Sequence, residues 1–190
     1  MTEDLRADAQ RNIRSILEAA AHVLAEDPTA SMQDIAAAAE VSRPTVYRHF
    51  ADREELIEAI RIEVMEQAFE RLDAAAASTD PAADALEQLI EDLAEIAVRY
   101  PLLGQLIGGR LPGGHKPPPH VIACFETLVA RGRRDKTLRP DLRPEILGPA
   151  TMGALFLALR AGNHRGADPR EVGAEVAALV LGGARAGGGG

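Results

Sequence analysis

The chain is poor in everything that makes a heavy aromatic core. It has no Trp, two Tyr and four Phe in 190 residues. Its interior must therefore be aliphatic, built from Ala, Leu, Ile and Val. A single cysteine, Cys124, excludes an internal disulfide framework and fits a reducing compartment. Positive charge is also scarce, since the formal net charge is −8. A basic coat protein for nucleic acid is excluded, and any DNA binding must come from a local patch working against the mean field. The polar, acidic start MTEDLRADAQ is no signal peptide. The longest nearly apolar run, Ile146 to Ala161, is shorter than the ~20 residues of a membrane span and contains Thr151 and Arg160. These absences lead to the expectation of a cytoplasmic protein.

Regular β alternation is missing too, and Ala-rich runs favour helix because Ala loses no side-chain entropy there. The expected fold class is all-α, with about nine helices. Ile13, Ile16, Leu17, Ala20, Val23 and Leu24 form one apolar stripe, and Asp27-Pro28 stops that helix. Arg6, Arg11 and Arg14 lie on its other face, either solvated or aimed at phosphates.

The stretch Ser31 to Arg53 reads SMQDIAAAAEVSRPTVYRHFADR. Ser31 with Asp34 makes a capping-box-like start, and Ile35, Ala36 and Ala39 are its buried side. Ser42 starts a second short helix, where Pro44 is tolerated in the first turn. Val46 and Phe50, four apart, face the support helix. Arg43, Pro44, Thr45, Tyr47, Arg48 and His49 fill the remaining surface. Arg43 at the helix start suits a bidentate pair with guanine O6 and N7. Pro44 and Thr45 suit a thymine methyl, and Tyr47, His49 and Arg53 suit phosphates. An ordinary αα corner with Tyr47 and Phe50 as core is the competing reading from spacing alone.

The run Ile35-Ala36, Ala39, Val41-Ser42, Thr45, Val46-Tyr47, His49-Phe50 and Asp52-Arg53-Glu54-Glu55-Leu56 resembles the N-terminal signature of the TetR family of bacterial repressors. The likeness covers roughly Ile13 to Ile60. It implies a three-helix DNA-binding head with a helix-turn-helix, a larger helical ligand-binding body, and a homodimer on a palindromic operator. Carried over by position, base contacts fall to Arg43, Pro44 and Thr45. Phosphate contacts fall to Ser31, Tyr47, His49 and Arg53, with Arg48 an additional contact or solvent-facing. One departure is Glu40, where the family usually has Gly. A side chain there faces a less favourable backbone state, and a carboxylate lies near the DNA face.

The expected division is residues 1–55 as head, 56–185 as ligand-binding and dimerisation body, and 186–190 as a disordered Gly-rich tail. Asp52 caps a long helix that starts in the head and ends in the body, with Glu55 at the capping-box position. Leu102 to Leu111 reads as a short helix, and Pro112 to Pro119 as a surface loop. His115 and His120 are read as solvent residues, not at metal-ligand spacing with a cysteine, and no metal or cofactor is expected. Cys124 lies in an apolar stripe and reads as an inert thiol. Arg131, Arg133, Arg134 and Lys136 form the most basic run, read as a solvated helix end in preference to a second DNA patch.

Ile146 to Ala161 is apolar nearly all round, and the last helix carries Val172, Val176, Leu179 and Val180 with many small residues. These two helices are expected to pack against their copies in a second subunit. Met65, Phe69, Leu103, Phe125, Met152 and Phe156 are candidate walls for a small apolar effector, each also readable as plain core. No nucleotide fingerprint or catalytic arrangement supports an enzyme. The expected function is a ligand-responsive transcriptional regulator, a repressor that leaves a palindromic operator when its effector binds. The alternative is a helical small-molecule-binding protein with weakened or lost DNA reading.

Overall fold

A computed structural model describes residues 2–102, 118–163 and 168–185, with side chains described from Asn12 onward and not at positions 160, 162 and 163. Residues 103–117 (Leu103, His115 and Lys116 among them), and with them most of the predicted helix Leu102–Leu111 and of the predicted loop Pro112–Pro119, the side chains of Arg6 and Arg11, and the tail 186–190 lie outside those bounds; of that loop Pro118 and Pro119 are described, and Pro119 already opens a helix. Within them the chain forms eight helices: α1 (Thr2–Glu26), α2 (Met32–Ala38), α3 (Arg43–His49), α4 (Arg53–Ala77), α5 (Ala82–Arg99), α6 (Pro119–Asp135), α7 (Pro144–Asn163) and α8 (Pro169–Ala184). The only β pairing among the described residues is an isolated bridge between Leu138 and Arg185.

Boundaries follow local chemistry. Ser31 accepts from the Asp34 backbone while Asp34 reaches back to the Ser31 N–H, which completes the expected capping box. Ser42 caps α3 through the Thr45 N–H, and Asp52 caps α4 through the Glu55 N–H. Glu55 departs from the expected box: its carboxylate accepts from Ala51, one residue before the cap. Pro28, Pro81 and Pro101 lie just beyond or just before helix ends, where a missing N–H costs no ladder bond.

The head core joins Ile16, Leu17, Ala20 and Leu24 of α1 to Ile35 and Ala36 of α2, Val46 of α3, and Phe50, all buried. Leu56 and Ile60 of α4 are fully buried and belong to the same cluster, so α4 enters the body without a break in packing. At about 1.5 Å per residue, its 25 residues extend ~37 Å. Two ion pairs brace α1 against the body: Arg14 with Glu63 of α4 at 3.0 Å, and Arg99 of α5 with Glu18 at 3.6 Å. From Glu63 the network continues through Gln67, whose amide donates to Glu63 and to the Tyr100 hydroxyl. Arg14 thus links α1 to α4 while its side chain stays exposed.

α5 is the centre of the body. Leu86, Leu89, Ile90, Leu93, Ala94 and Ile96 are all buried, and α4, α6 and α8 pack around it. α8 comes closest at Gly173, where an added Cβ would lie 2.5 Å from the Cβ of Ala94. This corrects part of the interface reading. Gly173 and Ala177 are buried inside the chain, whereas Ala178, Gly182 and Gly183 are exposed. α7 shows the same division: Leu147, Thr151 and Leu155 are buried, while Ile146 (53% exposed), Met152 (37%) and Leu157 (63%) face outward.

The basic run at the C-terminal end of α6 also resolves. Arg131 donates to the carbonyls of Ala75, Ala76 and Ser78, capping the C-terminal end of α4. Arg133 donates to the Leu142 carbonyl. Arg134 and Lys136 are exposed. Half of the cluster therefore stitches the body together, which a sequence reading of charge alone misses.

Candidate nucleic-acid interface

The turn between α2 and α3 sets the angle at which α3 is presented. The Glu40 N–H bonds the Ala37 carbonyl, and the Val41 N–H bonds the Ala36 carbonyl. This pair of bonds is the Schellman arrangement that closes a helix through one left-handed residue. That residue is Glu40, with φ of 55°. The chain accepts a left-handed non-glycine residue because both terminal carbonyls of α2 are satisfied by it. The Glu40 side chain is exposed and sits beside the start of α3.

α3 buries only Val46 within its length, and Phe50 follows as its buried C-cap. Ser42, Arg43, Pro44, Tyr47 and Arg48 are exposed, with Thr45 and His49 half-buried. The competing reading of Tyr47 as core is not met: it is 41% exposed, while Phe50 is 6% exposed. The guanidinium of Arg43 lies over the Tyr47 ring, 5.2 Å from its centroid. That contact holds the arginine along the outer face of α3. The Thr45 hydroxyl pairs with the Ser42 hydroxyl at 2.7 Å. Arg48 and His49 contact each other at 3.3 Å.

Two of the expected phosphate contacts already have partners. The Ser31 hydroxyl donates to Asp34 at 2.7 Å. That bond and a second from the Ser31 N–H hold the Asp34 carboxyl below the usual range. Arg53 donates to the Pro28 carbonyl, its Nε buried without a partner. Arg53 therefore clamps the α1–α2 loop onto the start of α4.

In the body the expected effector residues are spread over three helices. Met65 and Phe69 are half-buried on α4, Phe125 is 1% exposed on α6, Phe156 is half-buried on α7, and Met152 faces outward. Phe125 packs against Gly148, where an added Cβ would meet its ring at 2.8 Å. None of them lines the open cavity of about 270 Å³ between α7 and α8, which is walled by Leu142, Ile146, Leu147, Ala150, Val180 and Gly183.

Tyr100 is fully buried, and burial with the nearby Glu63 charge pushes its hydroxyl up to about 12. The Cys124 thiol is pushed up to about 11, by burial first and by its hydrogen bond to Asp73 second. His120 is exposed, as the solvent reading has it, but it is not isolated. It pairs with Asp73 at 3.0 Å, stacks edge-on against Phe69 at 5.7 Å between ring centroids, and lies one helical turn from Cys124. The His120-x-x-x-Cys124 spacing on a helix was the available signal.

Comparisons with known proteins agree with the head's geometry. Residues 16–60 match the model for bacterial regulatory proteins of the tetR family. Over 142 residues the chain is 37% identical to the HTH-type transcriptional repressor LfrR of Mycolicibacterium smegmatis, an alignment covering 71% of this chain and 70% of the relative. The solved structure of SmeT, repressor of the Stenotrophomonas maltophilia multidrug efflux pump SmeDEF, superposes with a TM-score of 0.66 at 18% identity, covering 93% of this chain and 91% of that one. The solved structure of LfrR from Mycobacterium smegmatis in complex with proflavine superposes with a TM-score of 0.61 at 24% identity, covering 93% and 97%. With a capped helix-turn-helix displaying Arg43, Tyr47 and Arg48 outward, the chain belongs to the TetR family of bacterial regulatory proteins.

Proposed function

We propose that α3 reads the operator directly, with Arg43, Pro44 and Thr45 on base edges and Ser31, Tyr47, Arg48, His49 and Arg53 on the backbone. The observation that carries this reading is the outer face of α3. It is polar, exposed and centred on an arginine aligned by an aromatic ring. The positive end of the α3 dipole adds to it.

Two copies are needed to read a palindrome. The outward faces of α7 and α8 carry Ile146, Met152, Leu157 and Leu179, the last 73% exposed. Those side chains are large and apolar, and they lie on the two helices that already contact each other. A second copy packing there as a four-helix interface removes them from water. Two heads then enter successive major grooves about 34–36 Å apart.

The body passes the effector signal through α4. The body takes up a small apolar effector, with Met65, Phe69, Leu103, Phe125, Met152 and Phe156 as the candidate contacts. The related LfrR is known in complex with proflavine. Ligand binding favours one placement of α4 over another, and only that difference in affinity moves the heads. Gel shift with the DNA upstream of the gene tests the reading. Sequence-specific retention that is released by an apolar compound supports it; no specific retention at low salt refutes it.

A further inference from the structure

Three side chains with metal-ligating atoms converge far from α3. Asp73 stands near the C-terminal end of α4, and His120 and Cys124 occupy the first two turns of α6. Their donor atoms lie within 4.8 Å of one another. His120 Nε2 is 3.0 Å from Asp73 Oδ1, Cys124 Sγ is 3.4 Å from the same carboxylate oxygen, and Sγ and Nε2 are 3.9 Å apart. A tetrahedral zinc site, with metal–ligand distances of about 2.0–2.3 Å, places neighbouring donors roughly 3.4–3.6 Å apart. The observed triangle differs from that by a few tenths of an ångström, within reach of small rotamer changes.

We propose that Asp73, His120 and Cys124 bind a divalent ion of the zinc class, tying α4 to α6. The donor set selects the metal. One thiolate, one imidazole and one carboxylate suit a borderline ion, whereas magnesium and calcium prefer all-oxygen shells. Cys124 is buried, and the side chains of Asp73 and His120 are 55% and 48% exposed. The site thus has a closed floor and an open mouth, leaving a fourth position for water. Phe69 stacks on the His120 ring and fixes its plane. Without a cation, the Cys124 thiol donates to Asp73. On binding, the S–H bond breaks, its proton goes to solvent, and the metal–sulfur bond forms. The helix-tying consequence is regulatory only if α4 carries the signal to the head, and that part rests on the proposed function; the metal site itself does not.

Titrating the full-length protein with Co²⁺ in place of Zn²⁺ tests the site. One ion per chain is expected, with a near-ultraviolet thiolate-to-cobalt band and strong visible bands of a four-coordinate ion, both bleached by Zn²⁺ and untouched by Mg²⁺. Cys124→Ser should erase the near-ultraviolet band. His120→Ala and Asp73→Asn should each weaken binding at least ~10-fold. Metal-free melting curves matching the parent show that these exposed-site variants fold. Absence of the charge-transfer band, or unchanged affinity in both His120→Ala and Asp73→Asn, overturns the proposal. A parallel operator titration with zinc or chelator separates the two readings. Metal binding without any specific DNA binding sinks the operator reading alone, and specific DNA binding without metal uptake sinks the metal site alone.

Discussion

The outer face of α3 and the outer faces of α7 and α8 are both exposed, yet they are built for different neighbours. On α3 the large exposed side chains are Arg43, Tyr47 and Arg48, each with a hydrogen-bonding or charged end. On α7 and α8 they are Ile146, Met152, Leu157 and Leu179. Water satisfies the first set and is an equally good placeholder for phosphates and base edges. It does not satisfy the second, whose burial is worth about 1.5–3 kcal/mol for each side chain fully covered. The difference teaches that the head offers a polar surface and the α7–α8 face an apolar one, which under the proposed dimer a second copy covers.

The largest test of that contrast is to charge the apolar face. Leu157→Asp combined with Leu179→Asp should convert a dimer to a monomer in light scattering. Loss of bivalent engagement should then lower operator affinity by on the order of 100-fold or more. A dimer that survives both substitutions places the interface elsewhere. Truncating the interior of the body comes next. Phe125→Ala should cost about 3–5 kcal/mol in urea unfolding, because its ring is packed against Gly148 with no slack. A loss under about 1 kcal/mol, joined to altered effector affinity, would make Phe125 a pocket wall that the protein can spare.

On the head, Arg43→Ala should cost about 1–3 kcal/mol of operator binding and relax discrimination at one base pair. Equal losses on every sequence would make it a phosphate contact. Glu40→Gly should raise stability by roughly 1 kcal/mol, since the position is left-handed, and strengthen binding to non-specific DNA by removing a carboxylate. A lower unfolding midpoint would show that the Glu40 side chain contributes more than its backbone costs. The mildest effect is alkaline. Tyr100 holds its proton up to about 12 in the fold, above its ordinary value of 10.0. The folded chain therefore binds more protons than the unfolded one between those values. Its contribution is complete below pH 10 and is lost as pH rises toward 12. Tyr100→Phe should flatten that part of the stability curve, and an unchanged slope would refute the assignment.

Legibility in the sequence followed how local the governing physics was. The caps at Ser31, Ser42, Asp52 and Asp168, the stop at Pro28, and the left-handed strain at Glu40 are all settled within four or five residues, and all appear in the structure. The buried pair Val46 and Phe50 follows from helical period, whereas spacing alone left the exposure of Tyr47 open. Contacts between distant segments were not readable. Arg131 looked like surface charge because its acceptors, the last carbonyls of α4, are more than fifty positions away in sequence. Gly173 looked like an interface residue because nothing local says that Ala94 comes to meet it. His120 was passed over for the same reason, although its spacing to Cys124 was visible; Asp73 arrives from another helix.

The central claim is that the α3 face discriminates operator from other DNA. Fluorescence anisotropy with the full-length protein measures this most directly, comparing a fragment from upstream of the gene with a scrambled duplex of equal length. The parent protein should prefer the upstream fragment, and Arg43→Ala should lose about 5- to 150-fold of that preference, the equivalent of the 1–3 kcal/mol expected. Identical discrimination by the parent and by Arg43→Ala would contradict the account.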